Sequence, residues 1–525
     1  MEVDDEIGSV ESKVDGVGDR LCSVFSRSHW DSIKDSPHEL WIVFVLKLLS
    51  SYSYFSFALV LTLFLSTEFQ MSDVEAGWVY GLYGVFSTVF GVLCGWVVDW
   101  LGVKWSLFFG AILGTIARLL LCFCTAPRSA VIVLVTALPF AESLGIPVMT
   151  IAIKRYTHTS NRTFAFALYY SCMNIAALVA GPAVDASRAL FSDGVTLPLT
   201  SIRLSALRVV LFTSAVSTFI TVLVVFMGLR EIEVNEDGEI MPYHPPSRQV
   251  GAWKATVRVL KEKSFWRLVL FTLLLMGVGL VFRHMDSTLP KFMLREFGGS
   301  DDAEGVPFGM VYAINPAMII VLVPLVGMVL TRVDSYTMIV RGSFVAAASP
   351  FWVALGAHYW AVCMFVVTLS LGEAVYSPRV YDYTMQLAGR GSEGVYTSLA
   401  SAPLFAVKLL TGGMSGWLLE RFCPEHPPPE RNAAALWSIV GATSMLSPIL
   451  MVILQPVLHP KQSPNIIPPV LNSMHHLEDD NASEGHNSES SNTGESDAEY
   501  QTGFGNLERL RRQHSSSNSS SSSSS

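Results

Sequence analysis

The chain has 525 residues, of which 51% are hydrophobic and only 15% charged, with a mean hydropathy of +0.42. A soluble globular chain carries about 25% charge, so this composition excludes a water-soluble fold and calls for a bilayer as solvent. The formal net charge of −9 comes largely from the polar tails and identifies no partner; nucleic acid is not expected among them.

Residues 1–39 are polar and acidic and read as an N-terminal tail without a cleavable signal peptide. Twelve apolar runs follow, each near the roughly 20 residues that cross the hydrocarbon core. Trp41–Leu65, Ala76–Val98, Trp105–Cys124, Ala130–Ile151, Phe164–Val184 and Leu207–Leu229 precede a polar gap. Leu268–Leu289, Phe308–Leu330, Met338–Leu355, Trp360–Tyr383, Val395–Leu419 and Ala433–Leu454 follow it. A transmembrane β-barrel would show short alternating strands instead. The predicted architecture is an all-α membrane protein with a six-helix bundle over 40–229, a linker over 230–264 and a second six-helix bundle over 265–456. Six plus six around one linker is the layout of carriers built from repeats.

Basic residues orient such a chain. Terminus-side loops carry Lys104, Lys154, Arg155, Arg162, Arg332 and Arg390, and far-side loops carry Arg128, Arg188, Arg203, Lys291, Arg295, Arg421 and Arg431. The linker adds Arg230, Arg248, Lys254, Arg258, Lys261 and Lys263 to the terminus side. Termini and linker are therefore expected in the cytoplasm. The linker's end, with Trp253, Val257 and Leu260 on one face and Lys254, Arg258 and Lys261 on another, reads either as an amphipathic helix on the inner leaflet or as a solvated linker. Residues 457–525 are acidic, Ser-rich and of low complexity, so a disordered cytoplasmic tail is expected. No cysteine spacing suggests a zinc site or disulfide framework, and no cofactor is expected.

The sharpest local pattern follows the second run: Gly95, Asp99, Gly102 and Lys104 in Gly95-Trp-Val-Val-Asp-Trp-Leu-Gly-Val-Lys104. An acid ends one helix, glycine permits a reversal and lysine opens the next helix. The acid can pair with a cation or a helix N-terminus, which gives a candidate gate. This stretch resembles the signature loop of the major facilitator superfamily. That resemblance implies two pseudo-symmetric six-helix bundles with alternating access to a central site. A degenerate second copy matches Gly327 to Asp334, with the central acid displaced.

Ionisable residues at membrane depth are costly and so mark function: Lys47, Arg118, Glu142, Arg283, His284, Asp286, Arg341, Glu373, Arg379, Asp382 and Lys408. Arg379 and Asp382 lie near a span end, where side chains reach water. Glu373, Lys408 and Lys47 lie deep in their runs. Burial disfavours a charged carboxylate, so Glu373 is a candidate to exchange protons; a static pair with Lys408 is the alternative. His284 beside Asp286 reads either as a proton relay or as a cluster capping the span's outer end.

Gly372-Glu373 followed by Ser377-Pro378 in the tenth run is similar to a motif of the proton-coupled oligopeptide transporter branch. So is Tyr169-Tyr170 followed by Asn174-Ile175-Ala176 in the fifth. The branch's lysine between Ile146 and Pro147 is absent, and the first run keeps Glu39 where the branch has two glutamates and an arginine. The resemblance implies a glutamate facing a substrate amino group. Glu373 then holds an amine, Tyr169, Tyr170 and Asn174 line the opposite wall, and Lys47 or Lys408 attracts a carboxylate.

The expected function is secondary active transport of a small polar or zwitterionic solute such as an oligopeptide, driven by a proton gradient through Glu373, His284 and Asp286. The expected protein is a monomer in the plasma membrane or an endolysosomal or vacuolar membrane. An exporter or facilitator of organic anions, sugars or drug-like compounds, and a non-transporting nutrient sensor, stay open. No phosphate-binding loop or metal-ligand cluster points to an enzyme.

Overall fold

The computed structural model describes residues 33–34, 36–158, 161–196, 203–235, 238–243, 261–298, 306–329, 333–387, 393–425 and 430–458, without the side chains of 92, 95–100, 146, 163, 328–329, 381–382, 385–387 and 393–406. The predicted amphipathic stretch around Trp253–Leu260, the Ser-rich tail and the start of the N-terminal tail lie outside these residues. So do the side chains of Asp99 and Asp382.

The first span is α1 (His38–Phe69), ended by Gln70 in the left-handed conformation. A capping box between Ser72 and Glu75 then starts α2 (Asp73–Phe123), which carries the second and third spans. The chain reverses within α2 at Gly102, whose φ of 78° is open to glycine and costly to other residues. Here the Glu231 carboxylate accepts from the backbone N–H of Val103 (3.3 Å) and Lys104 (2.6 Å). A carboxylate on those unsatisfied donors is favoured by the helix dipole.

The fourth span is not one helix. It is broken into α3 (Pro127–Val135), α4 (Ala137–Ser143) and α5 (Ile146–Tyr156). The chain leaves helical geometry at Thr136, and Pro139 and Pro147 each remove a backbone donor. The fifth span is α6 (Arg162–Leu190), and the sixth is α7 (Ala206–Gly228), capped by Ser205. A two-residue hairpin, β1 (Val195–Thr196) with β2 (Arg203–Leu204), joins them. The linker opens with a second hairpin, β3 (Ile232–Val234) with β4 (Ile240–Pro242), which the sequence pattern does not announce.

The second half repeats the plan. The seventh span, α8 (Lys263–Ser287), runs into a short buried α9 (Leu289–Phe297) that opens on Pro290. The eighth is α10 (Phe308–Val329). The ninth is α11 (Ser335–Ala348) plus α12 (Phe351–Leu355), interrupted before Pro350. Asp334 caps α11 by accepting from Thr337 N–H at 2.9 Å. The tenth, eleventh and twelfth are α13 (Tyr359–Leu387), α14 (Glu393–Phe422) and α15 (Ala433–Ile453), followed by α16 (Gln455–Leu458).

Among the described residues, ten of these segments are long and apolar enough to cross a membrane. The part of α2 before Gly102 and α14 complete the twelve. Large apolar side chains such as Leu82, Ile116, Val179, Phe219, Leu273 and Leu446 stay exposed along the spans, as lipid-facing positions should.

The halves meet through glycines. Gly77 and Gly412 bring α2 and α14 into backbone contact, and Gly181 and Gly309 do the same for α6 and α10; a Cβ at any of the four would strike the opposing carbonyl oxygen. Small residues let helices approach this closely.

Gly102→Ala should destabilise the protein by about 1–2 kcal/mol, because alanine pays for the positive φ and its Cβ would lie 2.7 Å from Glu231 Oε1. A lowered melting temperature in detergent, with no comparable change for Gly91→Ala in open space, checks this.

Candidate functional site

Glu373 sits in α13 beside Gly372. That glycine lets α13 press on α11, where an added Cβ would lie 2.5 Å from Ala346 N. The Glu373 carboxylate accepts from Asn315 Nδ2 at 2.8 Å, and the same amide donates to Ser370 Oγ at 3.0 Å. Its partner is therefore a neutral amide from α10. Tyr376, one turn further along α13, feels both Glu373 and Tyr170 electrostatically. The tenth-span and fifth-span motifs thus converge on one ring.

Lys408 does not pair with Glu373. Its side chain crosses from α14 into the opposite half over Gly84, where a Cβ would strike it. There its ammonium lies over the rings of Tyr83 (4.6 Å), Tyr54 (5.1 Å) and Tyr80 (5.8 Å). Cation–π contacts of this kind stabilise a desolvated ammonium by about 2 kcal/mol. Lys47 lies over Tyr169 at 4.4 Å in the same manner. Asn174 turns its amide back to Tyr170 O at 3.0 Å on its own helix.

The cluster in α8 divides between two faces. Arg283 Nη1 and Asp286 Oδ2 pair at 3.0 Å, and Asp286 lies in the field of Lys408. His284 instead places Nδ1 2.6 Å from Thr288 Oγ1, which donates to Ser415 Oγ at 2.7 Å. The structure separates His284 from Asp286, because residues two apart on a helix face different ways.

A second ion pair lies in the N-terminal half. Arg118 Nη2 and Glu142 Oε1 are 3.1 Å apart, with side chains 4% and 13% exposed. Tyr83 OH donates to the other carboxylate oxygen, and Arg118 Nε donates to Ser214 Oγ at 2.9 Å. Arg118 and Glu142 stand on the list of costly membrane-depth residues, but their pairing is invisible until the fourth span folds. The signal available in the sequence is the pair of prolines that bracket Glu142.

On the side where α1 ends, charges tie the halves together. Asp73, the first residue of α2, accepts from Lys291 Nζ (2.8 Å) and from Arg295 Nη1 (2.7 Å) and Nη2 (2.9 Å), both on α9. Burial pushes the Asp73 carboxyl up, but Arg295 and Lys291 outweigh it and hold the group below the usual carboxylate range. Burial draws Lys291 down. Nearby, Asp185 of α6 accepts from Gly309 N–H (3.0 Å) and Met310 N–H (2.7 Å) at the start of α10. Arg188 donates to Val306 O at 3.0 Å. Sequence reasoning counted Lys291 and Arg295 only as loop charges. An acid at a helix's first position, with two cations on an amphipathic Leu289–Phe297 run, was the signal available.

Of the four signature-loop residues, Gly102 makes the reversal and Lys104 contributes its backbone N–H to Glu231. Glu231, from the linker, was not singled out in the sequence.

A family model described as Major Facilitator Superfamily matches residues 43–413. No curated protein matches the chain. Among solved structures, a POT family transporter in complex with 5-aminolevulinic acid aligns with TM-score 0.63 at 14% identity, over 82% of this chain and 100% of its own. A structure concerned with substrate recognition in proton dependent oligopeptide transporters gives 0.60 at 15%, over 84% and 100%. A mutant of the nucleoside transporter NupG gives 0.60 at 14%, over 79% and 99%. At these identities the likeness is one of fold.

Asp73→Asn removes one charge from a buried cluster and should destabilise the protein by about 3–5 kcal/mol. A group held low in the folded state stabilises it above the ordinary carboxylate range, and that contribution is lost as pH falls through the lowered value. The gap in melting temperature between wild type and Asp73→Asn should therefore be wide at neutral pH and close in strong acid.

Proposed function

The chain belongs to the major facilitator superfamily, and we propose that it is a secondary active transporter that works by alternating access as a proton-coupled symporter of a small zwitterionic solute such as an oligopeptide. The observation that carries this reading is the partner of Glu373. Its carboxylate is held by the neutral Asn315 amide, so its charge is left to meet an amino group. A buried carboxylate bonded to a neutral amide, and not to a cation, is also suited to take up a proton when no amine is bound.

The opposite charge of a zwitterion meets Lys408 or Lys47. Each is held by aromatic rings, which a substrate carboxylate can supplement without breaking an ion pair. Tyr376 lies within electrostatic reach of both Glu373 and Tyr170. The convergence of the fifth-span and tenth-span motifs supports this assignment, as does the bound 5-aminolevulinic acid of one similar transporter, itself an amine and a carboxylate. The anion-carrier alternative needed Glu373 to neutralise Lys408, and these two groups take separate partners instead.

In the proposed cycle the Asp73–Lys291–Arg295 cluster and the Asp185 cap hold one side shut, and opening that side breaks them. The Gly102 reversal with Glu231 acts at the opposite side. We place that opposite side in the cytoplasm, with the protein a monomer in the plasma membrane or an endolysosomal or vacuolar membrane.

Uptake of a labelled dipeptide into proteoliposomes under an inward proton gradient tests the reading. Wild type should accumulate the peptide, and Glu373→Gln should lose gradient-driven uptake by roughly tenfold or more. No uptake by folded, inserted wild type overturns the peptide assignment.

A further inference from the structure

The halves touch along a seam between α2 and α14 that proceeds from glycine to glycine. Moving along α2 away from Asp73, a Cβ at Gly77 would strike Gly412, and one at Gly81 would lie 3.1 Å from Leu409 Cα. A Cβ at Gly84 would strike the stem of Lys408. At Gly91, two turns further on, it would meet nothing within 4 Å. Among the described residues, Gly84 is therefore the innermost of these glycines to touch α14. The steps before it meet backbone or leucine, and this one meets a charged side chain.

Close helix packing does not call for a lysine at that step. Glycine contacts are completed by small or apolar groups, and a buried ammonium is costly at this depth. Three rings offset the cost: Tyr54 of α1 and Tyr80 and Tyr83 of α2, all from the half opposite Lys408. Tyr83 is pinned by its hydroxyl, which donates to Glu142. Rings hold an ammonium without neutralising it, whereas a carboxylate binds it through a charge-assisted hydrogen bond. Asp286 lies in the field of Lys408 but is bonded to Arg283. The candidate amine site is close by, because Tyr312 of α10 is within electrostatic reach of both Tyr54 and Glu373. Lys47 differs: its ring, Tyr169, belongs to its own half, so it bridges no interface.

We propose that Lys408 in its tyrosine cage is the releasable inner latch of the α2–α14 seam, and that a solute's carboxylate is what releases it. This deepens, and rests on, the reading of the chain as a carrier of zwitterions. With an amine on Glu373 and no carboxylate at hand, the ammonium stays on the rings and the seam stays closed. A carboxylate draws the ammonium off the rings as an ion pair, and no covalent bond changes. The contact that held Lys408 across the interface is then gone, and α2 parts from α14. A simple amine leaves the latch in place, so Lys408 is the residue that distinguishes zwitterions from amines.

Two substitutions of opposite expected effect separate a latch from a lysine needed only for packing. Spin labels at Arg128 and Glu430, in the full-length protein in liposomes, give the ratio of molecules open to closed on the Asp73 side. Tyr54→Leu leaves the ammonium buried with one ring fewer, so without solute that ratio should rise about fivefold. Lys408→Met keeps the stem and removes the cost of burying a charge, so the ratio should stay at or below the wild-type value. A packing role alone would raise the ratio in both. A rise with Lys408→Met, or none with Tyr54→Leu, overturns the proposal. A dipeptide should raise the ratio in wild type, its C-terminal amide should not, and Lys408→Met should answer neither. An amide as effective as the acid, or a Lys408→Met protein that still answers the dipeptide, overturns the proposal as well. If one variant does not fold, the other decides by the same criteria. A wild type that ignores the dipeptide, beside the two expected variant ratios, would sink the peptide assignment and leave the latch standing.

Discussion

A charge at bilayer depth must have a partner, and most of this structure's functional features follow from that demand. Burying a lone charge costs several kcal/mol even after relaxation, so five of the charged side chains at this depth are each held by a specific device. Arg118 and Arg283 take carboxylates, Lys408 and Lys47 take tyrosine rings, and Glu373 takes an amide. The devices differ in how much charge they leave over. Ion pairs neutralise, whereas rings and amides do not, so Glu373 and the two lysines are the groups that can still attract a solute.

The same demand shapes how the halves meet. Backbone contacts at Gly77–Gly412 and Gly181–Gly309 set the separation, and charged contacts at Asp73 and Asp185 set the register. Packing of this kind is weak in lipid, because the hydrophobic effect does not drive helix association there. A few polar contacts therefore dominate the energy of that interface, which suits a molecule that must open and close it. Lys408, threaded over Gly84 into the opposite half, ties the interface to the centre.

Much of this was legible in the sequence, because span length and apolar composition report directly on a bilayer. The twelve spans and the Gly102 reversal follow from local rules. Glu373, Lys408 and Lys47 stand out because charge is rare at that depth. What the sequence hides is pairing. Arg118 and Glu142 lie 24 positions apart and meet only because the fourth span breaks around Pro139 and Pro147. Asp73 and Arg295 lie 222 apart. His284 and Asp286 are neighbours in sequence yet take different partners, Thr288 and Arg283. Glu231 caps the third span from a linker whose sequence carries no motif.

Spin–spin distances on the two sides of the membrane test the central claim most directly. Labels at Arg128 and Glu430 report the side closed by Asp73, and labels at Lys154 and Lys263 report the other; all four positions are exposed. If the Asp73 cluster is the lock of an alternating-access carrier, Asp73→Asn should lengthen the first distance and shorten the second. Two distances that stay fixed, or that change in the same sense, would contradict the account.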